Sequence, residues 1–291
     1  MSLLIVSSTE DPASTNIKTS LFLKSPFEET EYFAYHHPIY QHKDMDDIYL
    51  MTLNTKTIIT EGIEEVFTNE TRQTIDQIIY ISRHRSKTGE KALTTHPIGN
   101  YGPALFGGKS RYLCPCSPRL MTHLLRRIKH HSKQQEMPHQ VCFEVTHHGP
   151  ATQAPTLFVE VGSTLEEWQK QKPAQLIATA LLDTLSDYHY ETDLSGDIPV
   201  VIGLGGGHYA PRFSDLVFSK NVAFGHMIPN YQVNDGNINS DIIKQAYERT
   251  PNCQGCYIHK KGLKKAQVRE YSQILAEIDI PLISSKDLQD I

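Results

Sequence analysis

The chain has 291 residues, of which 39% are hydrophobic and 9% aromatic, a composition that fits an ordinary globular protein with a sizeable core. The formal net charge of −5 argues against a general nucleic-acid coat protein but leaves room for a local basic surface. No apolar run approaches the roughly 20 residues that cross a bilayer, and the start lacks a basic signal-peptide region, so we expect no membrane association. Five cysteines, an odd and small number, favour the reducing cytoplasm.

Apolar runs alternate with helical patterns along the chain, which predicts an α/β fold. We predict strands, in chain order, over residues 3–9, 47–54, 77–82, 141–146, 156–162, 198–205, 221–229 and 280–285. We predict helices over residues 15–23, from 71 onward, 117–135, from 163 onward, 173–188, 240–249 and 264–277.

Two of these helices carry start signals. The helix over 117–135 has Ser117 as a candidate N-cap and Pro118 at its first position. Ser163 and Glu166 have the spacing of a capping box. Together with the absence of internal repeats, the pattern predicts one α/β domain over residues 1–291.

Four strand-like runs in the second half carry histidine or glutamate within them or just past their ends. The ends of parallel strands form the crevice where ligands bind in open α/β sheets, and a carboxylate in a buried strand is costly unless it is paired or liganded. We therefore expect a shared site, although each glutamate could instead lie on a solvated face. The residues concerned are Glu144, His147, His148, Glu160, His208 and His226.

A run of glycines follows the strand that ends near residue 204. In "GLGGGHYAPRF", His208 stands where a dinucleotide-binding fingerprint needs its last glycine, and no Gly-Lys-Ser/Thr follows, so neither a dinucleotide fold nor a P-loop is indicated. We expect the N–H groups of Gly205, Gly206 and Gly207 to approach a substrate and stabilise an oxyanion. The alternative is a tight turn with a surface histidine.

Cysteine pairs and a basic loop leave further alternatives open. Cys114/Cys116 and Cys253/Cys256 could form a four-cysteine zinc site, although the first spacing fits poorly. The stretch 82–109 predicts either a loop that grips a polyanion or a surface connection; it and the other two basic stretches, 124–133 and 259–269, could equally be solvated faces.

No G-x-S-x-G elbow is present, so a serine nucleophile is not indicated. The remaining option is a water nucleophile activated by a histidine or by a metal ion. Adjacent residues such as His147 and His148 point to opposite sides of an extended chain, and the sequence does not decide which of them lines the site.

Five ordered motifs now resemble one family. "SRHRSKTGEKALTTHPIGN", "EVTHHGPAT..PTLFVEVGSTLEEW", "GLGGGHYAPRF", "GHMIPNY" and "KGLK" are similar to the D-aminoacyl-tRNA deacylases of the archaeal and plant type, over residues 80–265. The resemblance implies a hydrolase that cleaves the ester between a D-amino acid and tRNA, and so recycles mischarged tRNA as a proofreading step. It also implies a mixed, largely parallel sheet flanked by helices, similar to peptidyl-tRNA hydrolases and phosphorylases, and a zinc ion, Zn²⁺.

The resemblance and the strand pattern together give the candidate residues. We expect His147, His148, His208 and Glu144 to be catalytic. Metal candidates are His147, His148, Glu160, His208 and His226, without individual assignment. For tRNA binding by a cytoplasmic monomer we expect contributions from Gly205–Gly207, Tyr209, Arg212, His84, His96, Asn100, Lys261 and Lys264. Two alternatives stay open: a peptidyl-tRNA hydrolase-like or phosphorylase-like enzyme, and a non-catalytic tRNA- or metal-binding module.

Overall fold

Two main β-sheets and a short strand pair form the framework, and the computed structural model describes residues 2–187 and 198–291. The strands are β1 (Leu3–Ser8), β2 (Phe27–Ala34), β3 (His37–His42), β4 (Ile48–Leu53), β5 (Gln77–Arg85), β6 (Ala92–Pro97), β7 (Gly99–Asn100), β8 (Tyr112–Leu113), β9 (Gln140–Phe143), β10 (Thr156–Ser163), β11 (Val200–Leu204), β12 (Ala223–Ile228), β13 (Cys253–Ile258) and β14 (Leu282–Ile283).

Helices flank both sheets. They are α1 (Pro12–Lys24), α2 (Ile63–Thr71), α3 (Pro118–Gln134), α4 (Leu165–Gln169), α5 (Gln171–Ser186), α6 (Pro211–Ser219), α7 (Asn230–Asn234), α8 (Ser240–Glu248) and α9 (Lys265–Glu277). Two short 3-10 helices span Thr57–Ile59 and Lys260–Gly262. None of the helices in residues 2–187 and 198–291 has both the length and the apolarity that crossing a membrane requires.

The larger sheet has the strand order β2-β3-β4-β1-β5-β10-β6-β9, and the smaller one β12-β11-β13-β14. Antiparallel pairing occurs in β2–β3, β3–β4 and β6–β10, whereas the other neighbours in both sheets run parallel. This confirms the predicted mixed, largely parallel α/β class with flanking helices. The strands are divided between two main sheets, and one domain over residues 1–291 stays a prediction.

Local start signals were less accurate than the elements themselves. Ser117 precedes α3, but its side chain does not cap the helix and instead donates to the Gln77 side-chain oxygen. Ser163 belongs to β10, and Thr164 is the N-cap that accepts from the Glu167 N–H at 3.4 Å. Tyr188, the predicted end of α5, lies outside the described residues.

Apolar side chains fill both faces of the larger sheet. On one face, α1, α3 and α5 contribute Ile17, Leu124 and Leu181 to a buried cluster that continues to α6. On the other face, α2 contributes Phe67 to a second cluster that contains Phe158. A third cluster packs α8 and α9 against the smaller sheet. Burial of this apolar surface is the main driving force for the layered arrangement.

The segment that follows β9 joins the two sheets. Three consecutive backbone N–H groups donate to three different parts of the fold: Glu144 to the Thr95 carbonyl of β6 (3.0 Å), Val145 to the His208 carbonyl (2.9 Å) and Thr146 to the Met227 carbonyl of β12 (3.0 Å). The Glu144 side chain is thereby fixed at the junction.

We expect Leu124→Ala to destabilise the fold by about 2–5 kcal/mol, because the deleted side chain is fully buried and leaves a cavity. Lys133→Ala on the exposed face of the same helix is the matched control and should change the stability by less than about 0.5 kcal/mol. Urea unfolding followed by circular dichroism measures both; equal midpoints for the two variants would contradict the assigned packing.

Candidate active site

Three site residues share one face of the larger sheet. In the register of β5, β10 and β6, Glu160 lies opposite Ser82 and Thr94. His84 and His96 lie two residues farther along the two neighbouring strands, on the same face, because side chains alternate along a strand. This face is apolar at Phe158, which stacks on His96 with ring centroids 5.2 Å apart, and becomes polar at Glu160.

Gly162 of β10 makes room for one of these rings. Its partner in the register is His84, and a Cβ atom at Gly162 would lie 3.0 Å from His84 Cδ2. A larger residue at this position would push the imidazole aside.

Loops that follow β9 and β11 bring the remaining histidines. His147 and His148 come directly after the junction segment, and His208 follows the glycine turn after β11. The hydrogen bond between Val145 N–H and the His208 carbonyl fastens one loop to the other. The structure therefore places Glu144, His147, His148 and His208 together.

Glu144 is the centre of this cluster. Its Oε2 atom accepts from His208 Nε2 at 2.8 Å and from His84 Nδ1 at 2.9 Å, and it lies 3.4 Å from His147 Nε2. The carboxylate is fully buried, and its Oε1 atom has no hydrogen-bond partner. An anion is retained there only because charged and polar hydrogen bonds offset its desolvation.

At the centre of the cluster, Glu144 carries a negative charge and His84 a positive charge. Burial alone would raise the pKa of Glu144, but hydrogen bonds from His208 and His84 hold that pKa well below its usual range. Burial would likewise lower the pKa of His84, but hydrogen bonds to Glu144 and Glu160 outweigh it and raise the pKa to about 11. Burial, with repulsion from Glu144, raises the pKa of Glu160 to about 8, which favours the neutral form of this neighbouring carboxyl.

A second group consists of His96, His147 and His148. One ring nitrogen of each lies within 4.8 Å of one in each of the others. His147 Nδ1 donates to the Val145 carbonyl (2.7 Å) and His96 Nδ1 to the Pro97 carbonyl (3.1 Å), so the Nε2 atom of each ring carries a lone pair.

These three rings are neutral and incompletely hydrogen-bonded. Burial, and then the neighbouring histidines, hold the pKa of His147 well below its usual range and lower that of His148 to about 3. Burial lowers the pKa of His96 to about 4. His96 Nε2 and His148 Nδ1 are buried without a partner. Three neutral imidazoles with free lone pairs form a donor set that fits a zinc ion.

A cavity of about 480 Å³ opens onto the cluster. Its histidine-rich part is lined by His84, His147, His148, His208 and Glu160. The remaining wall includes three cations and an aromatic ring: the exposed Lys56 and Arg85, the half-buried Arg83, and Phe106. The Phe106 side chain is 63% exposed.

The glycine turn has a structural task beside the predicted one. The Gly205 N–H donates to the Ile228 carbonyl at 2.7 Å, so it is unavailable to an oxyanion, and the run does not line the cavity. Gly205 and Gly206 have φ of 100° and 98° and pack against the segment around His259. The positive φ values explain the glycines, and the turn positions His208.

Two predicted substrate-binding residues support other parts of the site. The Tyr209 hydroxyl lies 3.1 Å from His84 Nε2 and so orients that ring. Asn100 Nδ2 donates to the Gly107 carbonyl at 2.9 Å and holds the loop that carries Phe106.

Several other candidates lie outside the cluster. His226 is fully buried with its Nε2 donating to the Cys114 carbonyl (2.9 Å) and its Nδ1 3.1 Å from Thr146 Oγ1, so both nitrogens are used in the core. Arg212 and Lys261 line a separate cavity, and Lys264 precedes α9.

The cysteines do not assemble a metal site. In the part of the chain that the structure describes, no group of three or more potential metal-ligating side chains includes a cysteine. Cys253 and Cys256 belong to β13, and the Cys116 thiol lies 3.5 Å from Thr250 Oγ1. A four-cysteine zinc centre is therefore wrong for this fold, because the pair spacing reflects a buried strand.

Sequence reasoning missed the cavity residues outside the histidine motifs. Arg83, Arg85 and Phe106 lie in the stretch 82–109, whose pattern does not distinguish them from its other residues, whereas no motif surrounds Lys56. Only the folded chain brings the loops around these residues beside β5.

We expect His84 to keep its proton across the neutral range and to lose it only near pH 11. Because this pKa lies above the ordinary value of about 6.5, the contribution of protonated His84 to the free energy of unfolding is complete below pH 6.5 and is lost as the pH rises through 11.

Glu144→Gln should lower the His84 pKa by about two units or more, since the neutral amide no longer favours the imidazolium. Imidazole ¹⁵N NMR shifts measure this. Glu166→Gln, at an exposed carboxylate, is the control; an unchanged His84 titration in Glu144→Gln would refute the ion pair.

Comparison with known proteins agrees with the geometry. The sequence profile described as D-aminoacyl-tRNA deacylase matches residues 71–283. A D-aminoacyl-tRNA deacylase of Thermococcus kodakarensis is 32% identical over 276 residues, covering 94% of this chain and 96% of the relative. One from Pyrococcus abyssi is 31% identical with the same coverage. A crystal structure of a conserved protein of unknown function matches with a TM-score of 0.87 and 27% identity, covering 100% of this chain and 99% of that one. The chain therefore belongs to the D-aminoacyl-tRNA deacylase family.

Proposed function

We propose that this chain hydrolyses the ester between a D-amino acid and the 3′ end of tRNA, releasing the free D-amino acid and tRNA in the cytoplasm. The observation that carries the proposal is the buried Glu144, which His84 and His208 bind beside an open cavity. The names of the relatives supply the substrate class. Cleavage of an activated ester needs a positioned water, a general base and stabilisation of the oxyanion, and this cluster supplies the base.

His208 is the proposed general base. Its Nε2–H donates to Glu144, so Nδ1 carries the lone pair, and its side chain is 35% exposed and within reach of water. His208 takes a proton from water as the water oxygen bonds to the ester carbonyl carbon. When the tetrahedral intermediate breaks its bond to the ribose oxygen, His208 returns the proton to that oxygen.

Glu144 and His84 position this base. The anionic carboxylate fixes the tautomer of His208 and stabilises the imidazolium that forms during proton transfer. His84 keeps the carboxylate ionised by donating to the same oxygen, Oε2. The raised pKa of Glu160 favours its neutral form, so that the negative charge of the pocket lies on Glu144.

We also propose zinc as the cofactor, held by His96, His147 and His148. The buried nitrogens of His96 and His148 that lack a hydrogen-bond partner support this choice. A zinc ion bound there would act as a Lewis acid toward the ester carbonyl.

The outer wall of the cavity fits the nucleotide end of the substrate. Lys56, Arg83 and Arg85 provide positive charge for phosphate, and the exposed ring of Phe106 offers a surface on which a base can stack.

The test of the function is a deacylation assay with matched substrates. D-tyrosyl-tRNA, L-tyrosyl-tRNA and N-blocked peptidyl-tRNA, prepared from the same tRNA, are incubated with the enzyme and the remaining ester is measured. We expect cleavage of the D-aminoacyl ester well above the other two. Preferred cleavage of peptidyl-tRNA would favour a peptidyl-tRNA hydrolase, and binding without cleavage of any ester would favour a non-catalytic module.

His208→Ala should lower kcat on D-tyrosyl-tRNA by at least about 100-fold, the usual contribution of a general base. His131→Ala, a histidine on α3 that pairs with Asp183 at the surface, is the control and should keep wild-type turnover. Unchanged turnover in His208→Ala would exclude the proposed role.

His96→Ala and His148→Ala should each reduce bound zinc from about one ion per chain to nearly none, because each removes one of three ligands. Elemental analysis of the purified proteins measures the content, and circular dichroism establishes that they are folded. Full zinc content in both variants, or full activity in a metal-free wild type, would contradict a zinc ion at this position.

A further inference from the structure

A second cavity, of about 490 Å³, lies apart from the histidine cluster. It is formed by the first turn of α6, the end of β13 with the 3-10 helix Lys260–Gly262, and the segment from β14 onward. Its wall contains the basic side chains of Arg212, Lys260, Lys261 and Lys286.

The positive charges of this cavity are not neutralised by the protein. No carboxylate lines the cavity, and within residues 2–187 and 198–291 none of the four basic side chains forms an ion pair within 4.0 Å. Asp287, next to Lys286 in the chain, accepts instead from the N–H (2.8 Å) and hydroxyl (2.7 Å) of Ser284. Four uncompensated cations at one place in a chain of net charge −5 indicate an anionic ligand.

The surrounding groups suit a phosphate. Arg212 Nε donates to the Tyr257 hydroxyl at 3.0 Å, which holds the guanidinium in place and leaves its two terminal nitrogens. Ser284 and Ser285 also line the cavity. Burial, and then the charges of Arg212 and Lys261, lower the pKa of His259, as expected in a positive potential.

This cavity is a neighbour of the turn that carries His208. His259, which lines it, approaches Gly206 so closely that a Cβ atom there would lie 3.1 Å from His259 Nδ1. The His259 N–H donates to the Leu204 carbonyl at 2.8 Å, at the end of β11. Arg212 follows His208 by four residues. A ligand in this cavity therefore lies on the far side of the glycine turn from the proposed site of ester cleavage.

We propose that this second cavity binds a backbone phosphate of the tRNA acceptor end, an inference that rests on the proposed function. The exposed positions of Lys260, Lys261 and Lys286 favour a polymer that passes along the surface over an enclosed small ligand. Phosphate contacts of this kind fix the position of the nucleic acid without reading its sequence.

The test compares two substrates that share the ester but not the phosphates. D-tyrosyl-tRNA has the acceptor stem, whereas 3′-O-(D-tyrosyl)adenosine has only the terminal nucleoside. In Lys260→Gln/Lys286→Gln, the KM for D-tyrosyl-tRNA should rise roughly tenfold with little change in kcat, and the slope of log(kcat/KM) against log[salt] should become shallower by about two. Cleavage of the adenosine ester should stay at the wild-type rate.

The control is Lys24→Gln/Lys244→Gln, which removes two exposed lysines that line neither cavity. This variant has the same net charge and should keep the wild-type KM and salt slope. A rise in KM equal to that of the cavity variant would mean a general charge effect and would overturn the proposal.

Other outcomes are equally decisive. An unchanged KM for the tRNA ester in the cavity variant, together with loss of inhibition by inorganic phosphate in the adenosine assay, would assign the cavity to a small free phosphate ligand and overturn tRNA binding there. Equal loss of activity on both substrates would show that the two lysines act on the ester-cleaving site and not on a tRNA phosphate, and would overturn the proposal. Failure of the wild type to cleave either ester would instead refute the proposed function.

Discussion

The site depends on one buried carboxylate at the junction of the two sheets. Three successive N–H groups, from Glu144 to Thr146, bind β6, the His208 loop and β12, so the backbone around Glu144 cannot move without separating the sheets. The side chain in turn accepts from His84 of the larger sheet and from His208, which follows β11 of the smaller one. A charge buried in this way is stable only while both donors are present.

The histidines around Glu144 form two chemically different groups. His84 and His208 donate hydrogen bonds to Glu144, and hydrogen bonds to Glu144 and Glu160 raise the pKa of His84 to about 11. The group of His96, His147 and His148 is kept neutral by burial and mutual repulsion, which lowers the pKa of His148 to about 3. Neutral imidazoles suit a metal, and a carboxylate–histidine pair suits proton transfer, so one cluster can provide both functions.

The sequence predicted the elements with strong hydrophobic patterns and the strand ends that carry the site. It predicted β1, β4 and β10 because each is a short apolar run that is buried along its whole length, and α3 because its apolar side chains form one stripe. The hairpin Phe27–His42 escaped prediction, since β2 mixes exposed and half-buried side chains, β3 is mostly half-buried, and Glu28 and Glu31 interrupt any apolar alternation. Roles that depend on hydrogen-bond partners were less accessible: His226 and Gly205 have the right residue type near the right strand ends, but their polar atoms are satisfied within the core.

The central claim is that Glu144 acts on the reaction through His208, and a double-mutant cycle on kcat tests it most directly. Glu144→Gln, His208→Ala and the double variant are compared with the wild type on D-tyrosyl-tRNA. If the two residues form one catalytic unit, the double variant is about as slow as His208→Ala alone. Rate losses that simply multiply in the double variant would show independent residues and contradict the account.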